Sequence, residues 1–459
     1  MGSQIKNQSL LATEIKFNRL FFLLFLIFQA LFLALSFYYD LRYFLIILPI
    51  IFFISFIIIG KDRLKIFLIF TIFFASLLMG PTARRLIYLR LEEIPFFMLL
   101  FLTFLAFERK ERYRLTTQTD YWMLSFLLLA GFSLFYGIFS GHSLYHTVDD
   151  FLVIFYYAFY FLVLIYFQDE KWQKILIISI IVISILVSLE YIIPFLLTFY
   201  IKRYATDQQH LFNLAYPLLF SYIILGKETK YKILALLSLI PLTLAVIISF
   251  TRALWLTIPL SLFIILIIYL FFYKKLRLKK AIFLVLGSII LIIISAYFLI
   301  KKENLKKIIK IRTQSITELT EDISILERIY AAQHLLKEFK KNPIFGVGLG
   351  AVYPAPITKR GIKYFSWMDS TYLNLLWKMG SIGLLIFLLI YSFFFKNIIR
   401  VLKNPKDNFQ QWVSLGVLSA FISLMIIGIE SAVLLIYRFN FVWAALLAIF
   451  NLWSHRTYN

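Results

Sequence analysis

Residues 301–369 form the one long interval of this chain without an apolar run able to cross a bilayer. On both sides the sequence is a succession of hydrophobic segments joined by short charged loops. A polar stretch of that length cannot lie in hydrocarbon, where its backbone groups would find no water or protein partners. It therefore sits on one side of a membrane as a small domain, fenced by the apolar runs 281–300 and 371–395. The chain divides accordingly: N-terminal transmembrane helices (1–200), transmembrane helices with arginines on the outer face (201–300), a loop domain (301–370) and C-terminal transmembrane helices (371–459).

Of 459 residues, 62% are hydrophobic and 15% charged, with mean hydropathy +0.86. Soluble domains hold only about 45–50% apolar residues, so this is an integral membrane protein. Segments long enough to span cover 18–37, 43–60, 64–80, 93–107, 121–137, 150–167, 175–198, 211–226, 232–250, 253–273, 281–300, 371–395, 411–436 and 439–453. The expected fold is an all-α membrane protein of about 12–14 transmembrane helices, with one long extracytoplasmic loop containing short helices. The absence of cysteine excludes disulfides and cysteine-ligated metal.

A net charge of +23 suggests either nucleic acid or the positive-inside rule. Counting Lys and Arg loop by loop decides for the second. With the N-terminus inside, 25 fall on the inner face and 8 in the short outer loops, leaving 13 in the long loop and Lys378 within a span. Both termini are then cytoplasmic and the long loop is outside, since long loops translocate regardless of charge.

The few outer charges are not explained by topology. Arg252 lies between two apolar runs with almost no loop, and an arginine at the hydrocarbon boundary costs up to about 2.5–3.5 kcal/mol. Arg203 stands in the short outer loop that also carries His210. A single such arginine is accounted for by snorkelling to the interface; two beneath a polar loop point to an anion site, for which the planar guanidinium fork suits a diphosphate. Within the long loop, Ser324-Ile-Leu-Glu327 reads as a capping box for a helix with Ile329, Leu335, Leu336 and Phe339 on its apolar face, ending at Asn342-Pro343. Arg328 falls in its first turn, where a cation is unfavourable unless paired; Glu327 is one available partner. Gly346 and Gly348 belong to a glycine turn that permits close backbone approach to the membrane or a substrate, not to a nucleotide loop, which needs different spacing. Asp369 stands where the loop re-enters the membrane, as a helix cap or as a general base facing the outer vestibule. His142, His146, Asp149 and Asp150 recur at helical spacing as a metal-site alternative, against a plain polar loop leading into a span.

These pieces together resemble the O-antigen ligase and O-antigen polymerase superfamily of bacterial membrane glycan transferases. The resemblance is carried by Arg203 with Asn213-Leu-Ala-Tyr-Pro217, Thr251-Arg252-Ala-Leu-Trp-Leu256, Arg328, Asn342-Pro-Ile-Phe-Gly-Val-Gly348, Asp369-Ser-Thr-Tyr-Leu373 and Gly380-Ser-Ile-Gly383. It covers roughly residues 200–395. It implies transfer of a glycan from a polyprenyl-diphosphate carrier at the outer face of the cytoplasmic membrane, without nucleotide, metal or other cofactor. The implied partners are the lipid-linked donor, a glycan acceptor, the bilayer and a chain-length regulator, with no nucleic acid. Arg203, Arg252 and Arg328 would bind the diphosphate; Asp369, or His210 in its stead, would be the base. Ligases of the superfamily commonly carry His-Asn where this chain has Asp369-Ser370, which favours a repeat-unit polymerase over a lipid A–core ligase. A lipid-linked glycan flippase is the reading from another class, although no internal repeat of broken helices supports it.

Overall fold

The computed structural model describes residues 115–198, 207–249, 251–273, 323–357 and 361–456, with five positions between 65 and 72. Arg203, the segments before residue 64 and the run 281–300 lie outside the described residues. Contacts divide the chain into two units, of which Lys65–Ala83 with Arg90–Asn459 holds every described element.

That unit is helical, and among the described residues seven helices are long and apolar enough to cross a membrane. In chain order the helices are α1 (Gln118–Phe139), α2 (Leu144–Phe155), α3 (Phe159–Tyr166), α4 (Glu170–Thr198), α5 (Phe212–Leu225), α6 (Thr229–Ile248), α7 (Arg252–Tyr273), α8 (Ile323–Lys341), α9 (Thr371–Lys403), α10 (Asn408–Ile427) and α11 (Tyr437–Arg456). A one-turn 3₁₀ segment, Tyr156–Ala158, joins α2 to α3, and the two cross together as Leu144–Tyr166. The long loop also holds an antiparallel hairpin, β1 (Tyr353–Ile357) with β2 (Gly361–Phe365), in the register Tyr353 opposite Phe365. Short helices alone were expected there; Pro354 and Pro356 argue against a strand, yet in a two-stranded sheet each strand has a free edge that tolerates proline.

Local chemistry explains the helix starts. Thr117 caps α1 in a full capping box with Asp120, and Asp407 caps α10 through the Gln410 N–H. Asp120 does more, accepting from the Tyr160 hydroxyl at 2.6 Å and from the Asn451 amide at 3.0 Å, which ties α1, α3 and α11. Among the described spans α10 is the most enclosed; Gly416 lets it approach α5 closely enough for Ser221 to donate to the Trp412 carbonyl at 2.7 Å. Tyr391, Phe421, Phe394 and Trp443 fill the space between α9, α10 and α11 with edge-to-face and stacked rings.

Loops of similar charge content gather. Glu170 reaches Lys406 and Arg456, Lys174 pairs with Asp407, and Asn408 donates to the Leu225 carbonyl at 2.9 Å. These are basic loops that the charge census places on one face. At the other end, Thr371 binds the carbonyls of Gly428 and Ser431 through its N–H, and the charge-poor loop around 140–143 meets residues 346–350.

Candidate active site in the loop and the broken helix beneath it

α9 is two helices. Gly380 has φ +67° and ψ −169°, so 371–379 and 381–403 meet at a break. A break inside a membrane protein leaves carbonyls and N–H groups without their i/i+4 partners, and these must be paired elsewhere. The loop following α8 supplies partners for four of them. Val347 N–H donates to the Trp377 carbonyl at 2.8 Å and Gly348 N–H to Lys378 at 3.1 Å. In return Ser381 N–H donates to Pro343 at 2.9 Å and Ile382 N–H to Ile344 at 3.3 Å.

The glycines make this exchange possible. Gly346, Gly348, Gly350 and Gly380 all have positive φ. A Cβ on Gly380 would stand 2.1 Å from the Ile344 oxygen, and one on Gly346 2.5 Å from the Trp377 oxygen. The close approach read from Gly346 and Gly348 is therefore to the chain's own backbone. Gly380→Ala should cost more than the roughly 1–3 kcal/mol of a left-handed non-glycine residue, because the hydrogen-bond exchange must also part. Gly131→Ala, in open space on a helical backbone, serves as the control and should stabilise or change nothing. Thermal unfolding followed by detergent-resistant folded fraction compares the two.

Above the break the loop domain has its own apolar centre of Ala331, Leu335, Ala351, Tyr353, Met368 and Trp377. The buried face of α8 is thus Ala331 and Leu335; Ile329 and Leu336, expected on it, are exposed. α8 begins at Ile323, so Ser324 lies in its first turn and is not the residue before it. Tyr353 packs its ring on Phe365 and Trp377, and burial, with Asp369 and Glu327 nearby, pushes its hydroxyl up to about 12.

Asp369 is exposed on the turn between β2 and α9. It does not cap α9: Ser370 does, accepting from the Leu373 N–H. Asn374 holds the turn from below, accepting from Met368 N–H at 3.1 Å and donating to the Met368 and Ser370 carbonyls at 2.7 and 2.6 Å. Arg328, rather than pairing with Glu327, donates to Asp369 Oδ2 from Nε at 3.1 Å and Nη2 at 2.8 Å. Oδ1 accepts no hydrogen bond among the described residues. Two residues placed in different roles by sequence are thus one ion pair.

The other candidates have other partners. His210 is 6% exposed, in the 3₁₀ turn Asp207–Leu211, with its ring beside Phe439; no hydrogen bond or ion pair joins it to Asp369 or Arg328. Its neighbour Gln209 accepts from the Thr251 hydroxyl at 2.8 Å, which places this turn against the start of α7, where Arg252 is the first residue. The His142–Asp150 cluster does not converge on a metal. His142 Nδ1 lies 2.9 Å from the Leu349 carbonyl, and Asp150 Oδ2 takes the Gly350 N–H and the Lys378 ammonium. Lys378, from sequence only a lysine within a span, is thus the partner of Asp150.

Residues 235–388 match the O-antigen ligase family model. The match covers about a third of the chain, and Arg252, Arg328, Gly346–Gly350, Asp369, Lys378 and Gly380 all fall inside it. Arg203, His210 and Asp150 precede it. The O-antigen ligase match supports the ligase and polymerase superfamily of membrane glycan transferases read from the motifs. No curated protein matches the chain.

Proposed function

We propose that this protein is an inverting glycosyltransferase that takes a polyprenyl-diphosphate-linked oligosaccharide at the outer face of the bacterial cytoplasmic membrane and polymerises its repeat units. The observation that carries the reading is Asp369: an exposed carboxylate within the matched stretch, fixed through one oxygen by Arg328 and freed from capping by Ser370. In the reaction an acceptor hydroxyl passes its proton to Asp369 Oδ1 as its oxygen attacks the anomeric carbon. The glycosidic C–O bond breaks on the opposite face, and its electron pair leaves on the diphosphate. In this reading Arg203 and Arg252 neutralise that leaving group, and Arg328 assists through the N–H groups it does not give to Asp369. The chemistry calls on no metal or other cofactor, and transfer is expected to persist in excess chelator.

An apolar groove of about 490 Å³ between α9 and α10, lined by Tyr372, Leu388, Tyr391, Phe421, Met425 and Ile429, begins three residues beyond Asp369 and suits a prenyl chain. Transfer to lipid A–core is the second reading; the residue favouring polymerisation is Asp369 itself, where ligases commonly carry histidine. Purified protein given only lipid-linked repeat units should produce a ladder of longer glycans. Products that appear only when lipid A–core is added would make it a ligase. The orientation is tested separately: on this cysteine-free chain, Lys359→Cys should react with an impermeant maleimide in intact cells, and labelling only after permeabilisation reverses the topology.

A further inference from the structure

We infer that Asp150 and Lys378 are positioning residues for the transfer, holding Trp367 and through it the Asp369 turn; this rests on the base role proposed above. Their side chains are 0% and 2% exposed. Lys378 pairs with Asp150, whose same oxygen takes the Gly350 N–H at 2.6 Å. The ammonium also lies 4.3 Å from the centre of the Trp367 ring and 5.3 Å from that of Trp377. A desolvated ammonium over an indole is attracted by the ring's negative face, which ties Trp367 to the pair beneath it.

Trp367 is two residues from Asp369, and the residues flanking Asp369 are clamped by Asn374. Asn374 and Lys378 are four apart on the helical segment 371–379, hence on one face. One side chain grips the backbone of the turn and the other its preceding ring. His146 and Asp149 on α2 act on the pair electrostatically, completing the charged surroundings. Stability alone is a poor reason for such a pair, because replacing two buried charges by apolar groups is often neutral or stabilising. The glycine loop is already joined to α9 through four backbone hydrogen bonds without the pair.

The test uses the full chain in nanodiscs and a double variant, Asp150→Asn with Lys378→Met. Asn still accepts from Gly350, Met fills the lysine's volume, and neither charge is stranded. A spin label at Ser366→Cys reports the turn directly. The expected result is a mobilised label and kcat lower by about 10²-fold, with the donor KM unchanged, as for a misplaced catalytic group. Trp367→Leu should give a similar loss, and adding it to the double variant should lower kcat no further. A label as immobile as in wild type, or a double variant of full kcat, overturns the inference. A mobilised label in a protein whose Asp369→Asn variant transfers normally instead overturns the base assignment while the positioning stands.

Discussion

Asp369→Asn protein is expected to fold, bind the lipid-linked donor and transfer glycan about 10²–10⁴ times more slowly than wild type. Asparagine keeps an oxygen for Arg328 but loses the negative charge and with it the capacity to take a proton. The structural cost should be small. The Arg328–Asp369 pair is 37% and 63% exposed, and surface pairs contribute about 0–1 kcal/mol. The helix cap, which would have been a competing explanation, belongs to Ser370 and is untouched. The loss should therefore appear in kcat, measured from the initial rate of product formation at saturating donor. Full activity of Asp369→Asn together with a dead His210→Ala would move the base to His210.

The second large effect is expected at Arg252. Removing it should cost about 2.7–4 kcal/mol of transition-state stabilisation, or roughly 10²–10³ in rate, as for other preorganised donors aimed at a developing negative charge. It is the first residue of α7, and a helix N-terminus itself favours an anion. The bond from Thr251 to Gln209 sets the turn Asp207–Leu211 against the start of α7. Arg252→Lys should restore little, since a point charge cannot reproduce two parallel hydrogen bonds. Near-normal turnover of Arg252→Ala at unchanged protein level would remove Arg252 from the site.

Much of this arrangement is legible in the sequence because lipid leaves few options. Apolar runs at 121–137, 232–250 and 253–273 become α1, α6 and α7 within a few residues of the expected bounds. Residues 323–365 form the helix and hairpin of the interposed domain. What sequence missed depends on pairing across distance. Asp150 and Lys378 are 228 residues apart, and each alone is only a polar residue at a span's edge or interior. The available signal was their cost in hydrocarbon, which makes an intramembrane charge a search for its partner. Gly380 reads as an ordinary small residue in a helix until Gly346 and Gly348 are seen threading the gap it opens. The apolar face of α8 is partly legible: Leu335 is buried as expected, but small Ala331 joins it where Ile329 and Leu336 do not.

The central claim is that a glycosidic bond to a diphosphate lipid is broken at this site, and the direct measurement is stoichiometric. Protein in nanodiscs is given lipid-linked oligosaccharide, and free polyprenyl diphosphate and new glycosidic linkages are counted by mass spectrometry and NMR. The account predicts one diphosphate lipid released for every linkage formed, the anomeric configuration inverted, and neither product from Asp369→Asn beyond its residual rate. Movement of intact lipid-linked glycan across a sealed bilayer, with no diphosphate released, would contradict it and make the protein a transporter.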